Sequence, residues 1–176
     1  DEYGQGSVTI RELFVASLRM RPDRIIVGEV RGGEALDMIQ SMLSGHSGSL
    51  TTVHANTPRD AMIRLETLSL MSDVQIPVYV ARTQVASAIE IVVQLTRFTA
   101  DGARKITRIT EVEPIDEKNE YRFRDLFVYR RPGGRPDAAP QLEWTGERPS
   151  FAGDLYEHGF ADRVDKTSAI WGKPGD

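Results

Sequence analysis

The sequence predicts an α/β fold built on a mainly parallel sheet, with antiparallel strands toward the carboxyl end. Three observations predict it. Residues 24–30 (RIIVGEV) form an apolar, β-branched run closed by a glycine and a carboxylate, the pattern of a strand buried on both faces of a parallel sheet. Gly32 and Gly33 break that run, and residues 34–43 place Ala35, Met38, Ile39 and Met42 at helical spacing before Gly45 closes the helix. Residues 49–54 (SLTTVH) then read as a second short strand, giving a strand–helix–strand unit. Further on, residues 105–115 and 121–130 alternate apolar and polar side chains around a polar turn at 116–119, as antiparallel strands do.

Taken in order, residues 1–7 are polar and glycine-bearing, a connector. Thr9 and Glu12 have capping-box spacing, so a helix is expected over 10–20, with Leu13, Ala16, Ser17 and Met20 on one face and Pro22 ending it. Arg19, Arg21 and Arg24 crowd the approach to the central strand. They suit either a solvated helix end or an anion-facing cluster. After His54, Thr57 can cap a helix that has Pro58 at its first position and Asp60 at its third, running to about Met71 and burying Ala61, Leu65 and Leu68. A turn over 73–77, a helix over 78–87 and a strand over 89–95 follow. Asp101-Gly102 marks a hairpin, because this dipeptide tolerates positive φ. From residue 131 the chain turns rich in proline and glycine. The expected organisation is therefore a main domain over 1–130 and, over 131–176, a linker with a small docked element and a loose tail. Trp144, Phe151, Leu155, Tyr156 and Phe160 would anchor the docked element.

Composition narrows the class. At 176 residues and 40% hydrophobic, the chain has material for one substantial core. A formal charge of −4 speaks against a dedicated nucleic-acid binder, while leaving room for local basic patches. With no cysteine there is neither a disulfide scaffold nor a thiolate metal site, which suits a cytosolic protein. The chain opens on Asp1 rather than Met, and its true amino terminus is expected to lie upstream.

Glu29 and His54 sit at the carboxyl ends of their strands, where open α/β sheets gather ligand-binding residues. A carboxylate held rigidly there can orient or deprotonate an attacking water. It can equally pair with Arg24 or Arg31. His54 can bond a phosphate oxygen or simply end its strand as a satisfied structural residue. His46 stands between Gly45 and Gly48, in a turn whose N–H groups could face an anion or merely close the helix. The gap between His46 and His54 fits neither HExxH nor zinc-finger spacing, so no direct metal ligand set is expected.

Two stretches resemble a known family. Residues 18–35, LRMRPDRIIVGEVRGGEA, are similar to the Walker B region of the type II/type IV secretion ATPases, and residues 45–56, GHSGSLTTVHAN, to their histidine box. The resemblance is nearest to the CpaF/TadA-like branch, which powers assembly of tight-adherence (Flp-type) pili. It extends through RLET (64–67), DGAR (101–104), ITEV (109–112), DLF (125–127) and TGERPSF (145–151), covering residues 6–159. No G-x-x-x-x-G-K-[ST] occurs in the chain, so the loop that cradles nucleotide phosphates is not in it. In the family that loop and an acidic box lie upstream. The resemblance thus implies the carboxyl-terminal part of a RecA-like P-loop NTPase domain.

It further implies ATP and Mg²⁺ as cofactors. Glu29 would take the Walker B role, acting on the attacking water directly or through the magnesium shell, and His46 and His54 would be the histidine-box pair, with His54 sensing the γ-phosphate. Gly28, Arg31 and Thr52 would frame the nucleotide. The family resemblance also implies a homohexamer, cytoplasmic and peripheral at the inner membrane, that pushes on inner-membrane platform proteins, with no nucleic-acid partner. This piece alone is expected to be inactive. Two other readings stand beside it: a non-catalytic ring-assembly or platform-docking fragment, and another branch of the superfamily, a conjugation-type or retraction motor.

Overall fold

The computed structural model describes residues 6–131, 137–160 and 163. The chain divides into two compact units, one of residues 1–90 with 114–122 and the other of residues 91–113 with 123–176.

In the first unit the elements are α1 (Ile10–Leu18), β1 (Ile26–Val27), α2 (Glu34–Leu43), β2 (Leu50–Thr51), α3 (Pro58–Leu70) and α4 (Val78–Ala88). The strand–helix–strand unit is present: β1 and β2 pair in parallel, Ile26 opposite Leu50 and Val27 opposite Thr51. Both halves of the capping box form, Thr9 N donating to Glu12 Oε2 at 2.8 Å and Glu12 N to Thr9 Oγ1 at 3.1 Å. The buried residue of α1 is Phe14, whereas Leu13 and Met20 of the expected face are 60% and 80% exposed. On the Phe14 side of the helix, Arg11 Nε lies 2.9 Å from Asp37 of α2.

The central strand is also shorter and less covered than its sequence predicts. Ile25 and Val30 are buried, but Ile26 is 75% exposed. Among the described residues β1 has one strand partner, β2, and the face bearing Ile26 and Leu50 is open. The core of this unit is helical. It is built from Ala35, Leu36, Met38 and Ile39 of α2, Met62 and Leu65 of α3, and Ala81 and Val85 of α4. The helix start after His54 forms as its sequence predicts, with Thr57 Oγ1 accepting from Asp60 N at 3.1 Å.

The second unit is antiparallel, with β3 (Ile91–Arg97), β4 (Arg104–Glu113), β5 (Arg122–Arg130) and β6 (Gln141–Trp144) in that order, followed by α5 (Ala152–Glu157). Gly102 takes φ +69 in the first hairpin, as the Asp-Gly pair predicts. β6 is an addition: a four-residue strand too short to show alternation, paired with β5 through Phe127–Trp144 and Arg130–Gln141. The segment after it is tied to the sheet by polar contacts, while none of the expected anchors Trp144, Phe151, Leu155, Tyr156 and Phe160 is buried. Thr145 Oγ1 donates to Asp125 O at 2.7 Å, and Ser150 N to the buried carboxylate of Glu111 at 2.9 Å. The proline–glycine stretch 132–136 and, Arg163 apart, the tail beyond 160 lie outside the described residues.

Candidate functional site

Glu29 follows β1 by two residues, and its backbone is clamped from β2's side. Thr52 Oγ1 donates to Gly28 O at 2.5 Å, and Val30 N donates to Thr52 O at 3.1 Å. Gly28 and Thr52 thus fix the peptide that carries Glu29. Both carboxylate oxygens have a cationic or imidazole neighbour. Arg31 reaches Oε2 with Nε at 2.8 Å and Nη2 at 2.6 Å, while His54 Nε2 lies 3.1 Å from Oε1. The side chain of Glu29 is 23% exposed, against 73% for Arg31 and 84% for His54, so a recessed anion lies beneath two open groups.

The hydrogen bond from Arg31 holds the Glu29 carboxyl below the ordinary carboxylate range. Partial burial opposes it, and the charges of Arg31, His54 and Arg64 add smaller pulls downward. The Arg31 guanidinium is correspondingly pushed up by Glu29. Of the two arginines that could pair with Glu29, the partner is Arg31. Arg24 instead approaches the His46 turn, where a Cβ on Gly48 would sit 3.1 Å from its Nε. Arg19, Arg21 and Arg24 are exposed and, among the described residues, form no ion pair, so the anion-facing option for that cluster stays open.

His46 is half-buried after the end of α2. Its N–H donates to Ser41 O at 3.2 Å and its carbonyl accepts from Ser49 Oγ at 2.7 Å, while Ser49 Oγ also accepts from Ile25 N. Its Nδ1 is buried without a hydrogen-bond partner among the described residues. No hydrogen bond there joins His46 to Glu29 or His54. The structure therefore brings Gly28, Glu29, Arg31, Thr52 and His54 together and sets His46 in a neighbouring turn.

Sequence reasoning gave no role to Arg64, whose charge reaches Glu29 from α3. It also overlooked Glu66, a buried carboxylate on the same helix bonded by Arg82 and Tyr121. Both lie in the RLET motif, which was the available signal. Among the described residues no group of three His, Cys, Asp or Glu side chains converges to hold a metal ion. One carboxylate at a strand end is the usual protein share of a magnesium site completed by water and substrate phosphates, so Glu29 fits that ion at its water shell.

The family profile described as "Type II/IV secretion system protein" matches residues 3–134. The chain belongs to this family. Among type II/IV secretion relatives, a Mycobacterium tuberculosis (strain ATCC 25618 / H37Rv) protein named for conjugal transfer is 35% identical over 139 residues, 79% of this chain and 38% of its own length. The type IV secretion system protein PtlH of Bordetella pertussis is 41% identical over 101 residues, 56% of this chain and 30% of its own. Among solved structures, the VirB11 ATPase of the Brucella suis type IV secretion system, in complex with sulphate, matches with a TM-score of 0.55 at 35% identity, over 58% of this chain and 31% of that one. The α/β, RecA-like class expected from sequence is thus the fold of this secretion-family chain. It spans less than two-fifths of the length of these relatives.

Proposed function

We propose that this chain is the water-positioning part of a secretion-type ATPase motor. The observation that carries this is the Glu29 carboxylate recessed at the β1 end, with Arg31 on one oxygen and His54 on the other. Glu29 orients the attacking water, directly or through the magnesium shell. Arg31 keeps that carboxylate ionised and aimed. His54, mostly exposed above it and followed within three residues by the cap of α3, meets a γ-phosphate oxygen in this reading. Gly28 and Thr52 hold the strand ends in register beside the nucleotide, and His46 supports the preceding turn. ATP is the substrate and Mg²⁺ the ion that neutralises its phosphates.

The whole motor is a homohexamer, cytoplasmic and peripheral at the inner membrane, acting on inner-membrane platform proteins and not on nucleic acid. No helix among the described residues is long and apolar enough to cross a membrane. The motif set, including the TGERPSF ending, favours the CpaF/TadA-like pilus branch. The conjugal-transfer and type IV secretion names of the relatives favour a second reading, a conjugation-type motor.

Phosphoryl transfer depends on positioning and charge stabilisation, and no phosphate loop occurs in the sequence, so this chain alone should not turn over ATP. Joined to its upstream half, it should do so. There Glu29→Gln keeps shape and most hydrogen bonding but loses charge and basicity. Turnover should fall about 10²- to 10⁴-fold with nucleotide affinity retained. Phosphate release and nucleotide binding measured on both proteins check this. Wild-type turnover in the Gln variant would remove Glu29 from the chemistry.

A further inference from the structure

The turn between Glu29 and α2 is held by a side chain that the preceding assignment does not use. Gly33, at the N-cap of α2, offers no side-chain cap, and Glu34 reaches back past the start of the helix. Its Oε1 accepts from Arg31 N at 2.8 Å and from Gly32 N at 3.0 Å. In α1 the acidic side chain of the first turn reaches back to the N-cap amide of Thr9. This one reaches past the N-cap Gly33 to the amides of Gly32 and Arg31. The turn is pinned elsewhere as well: Gly32 O accepts from Ala35 N at 3.1 Å, and a Cβ on Gly33 would lie 2.7 Å from Ser72 Cα. A Cβ on Gly32 would sit 2.9 Å from Glu34 Oε2, the free end of that side chain, so an alanine there would make the carboxylate shift.

We propose that Glu34 is a positioning residue for Glu29: its carboxylate fixes the Arg31–Gly32 backbone so that the Arg31 guanidinium meets Glu29. The relay runs from Glu34 to the Arg31 amide, from the Arg31 side chain to Glu29 Oε2, and leaves Glu29 Oε1 to His54. The proposal rests on the role given to Glu29 above. A single oxygen of Glu34 takes both N–H groups, so the clamp needs an acceptor rather than a charge. A glutamine at this position can supply it, and an alanine cannot.

The test compares Glu34→Gln, Glu34→Ala and Gly32→Ala in the full-length motor, reading amide hydrogen exchange across residues 31–32 together with kcat and KM for ATP. Expected is near-wild-type kcat and protection in Glu34→Gln. In Glu34→Ala kcat should drop at least about 10-fold with KM unchanged, and exchange at 31–32 should rise by a similar factor, the usual consequence of a misplaced catalytic group. Gly32→Ala, which displaces the carboxylate but leaves α2 intact, should move both readouts in the same direction by a few-fold. If Glu34→Gln is as slow as Glu34→Ala, the charge itself acts in the chemistry and the positioning role is overturned. Unchanged exchange in Glu34→Ala, or loss of protection throughout α2, overturns it too. The exchange readout does not depend on Glu29 chemistry, so a clamp that opens in a motor indifferent to Glu29→Gln would locate the failure in the Glu29 assignment.

Discussion

His54 Nε2 lies 3.1 Å from Glu29 Oε1, on the oxygen that Arg31 leaves free. That relationship decides what kind of work Glu29 does. A general base is most effective with a pKa near the working pH, and Arg31 drives Glu29 the other way. A carboxylate held as an anion by a guanidinium is a well-fixed acceptor for water, and the role proposed for Glu29 leans on that orientation and charge as well as on basicity.

The first prediction follows from that lowered pKa. Glu29 is depressed below the ordinary carboxylate value, so its contribution to stability is present above that value and is lost as pH falls through the depressed folded one. In Arg31→Ala the largest cause of the depression is gone. The Glu29 titration should move up toward the ordinary range, and the acid-side loss of stability attached to it should shrink as the gap between folded and unfolded values closes. Side-chain carboxyl NMR titration of the two proteins reads this. An unmoved Glu29 would mean that Arg31 is not what holds it.

A second prediction concerns Glu66, buried on α3. Arg82 Nε and Nη2 bond its two oxygens at 2.9 and 3.2 Å, and Tyr121 Oη donates to Oε2 at 3.0 Å. Burial, followed by the Glu66 charge, pushes the Tyr121 phenol up, so it remains a donor throughout the neutral range. Glu66→Ala takes away the buried carboxylate but leaves Arg82 with Asn119 O at 3.0 Å and Glu120 at 3.6 Å, and should destabilise by about 2 kcal/mol. Tyr121→Phe leaves Arg82 on the carboxylate and should cost only about 1 kcal/mol. Denaturant unfolding of both variants checks the order as well as the sizes.

How far the sequence carried can be judged on these elements. The start of α3 was legible because Thr57, Pro58 and Asp60 act locally, each on a neighbouring backbone group. The capping box of α1 was legible for the same reason. The buried face of α1 was not, because it depends on where α2 lies, and the two helices meet on the Phe14 side through Arg11 and Asp37, 26 residues apart. Nor was the openness of β1 legible. An apolar run such as RIIVGEV specifies what a strand can bury, whereas burial depends on which partners flank it, and β2 is its one strand partner among the described residues. At the site, residue types and strand-end positions pointed to Glu29 and His54. Their direct contact, and the choice of Arg31 over Arg24, needed three dimensions. His46 shows the limit of a motif: two histidines in one box occupy different turns and share no hydrogen bond.

The last prediction separates His54 from Glu29. His54 is 84% exposed in its side chain and carries little of the packing, so His54→Ala should leave the fold and the binding of ATP nearly intact. It should still disturb the motor, because His54 stands three residues before the Thr57 cap of α3, and that rigid helix can pass a contact made at its start to groups along its length. In the full-length protein, His54→Ala is therefore expected to lower secretion or pilus output more severely than ATP turnover. Glu29→Gln should do the reverse, lowering turnover first and output only as its consequence. Measuring affinity, turnover and output for both variants side by side checks the assignment. If the two variants instead melted early and lost nucleotide affinity together, the Glu29–His54 contact would be a device for holding β1 and the start of α3 in place, and the division of labour between sensing and water positioning would fall.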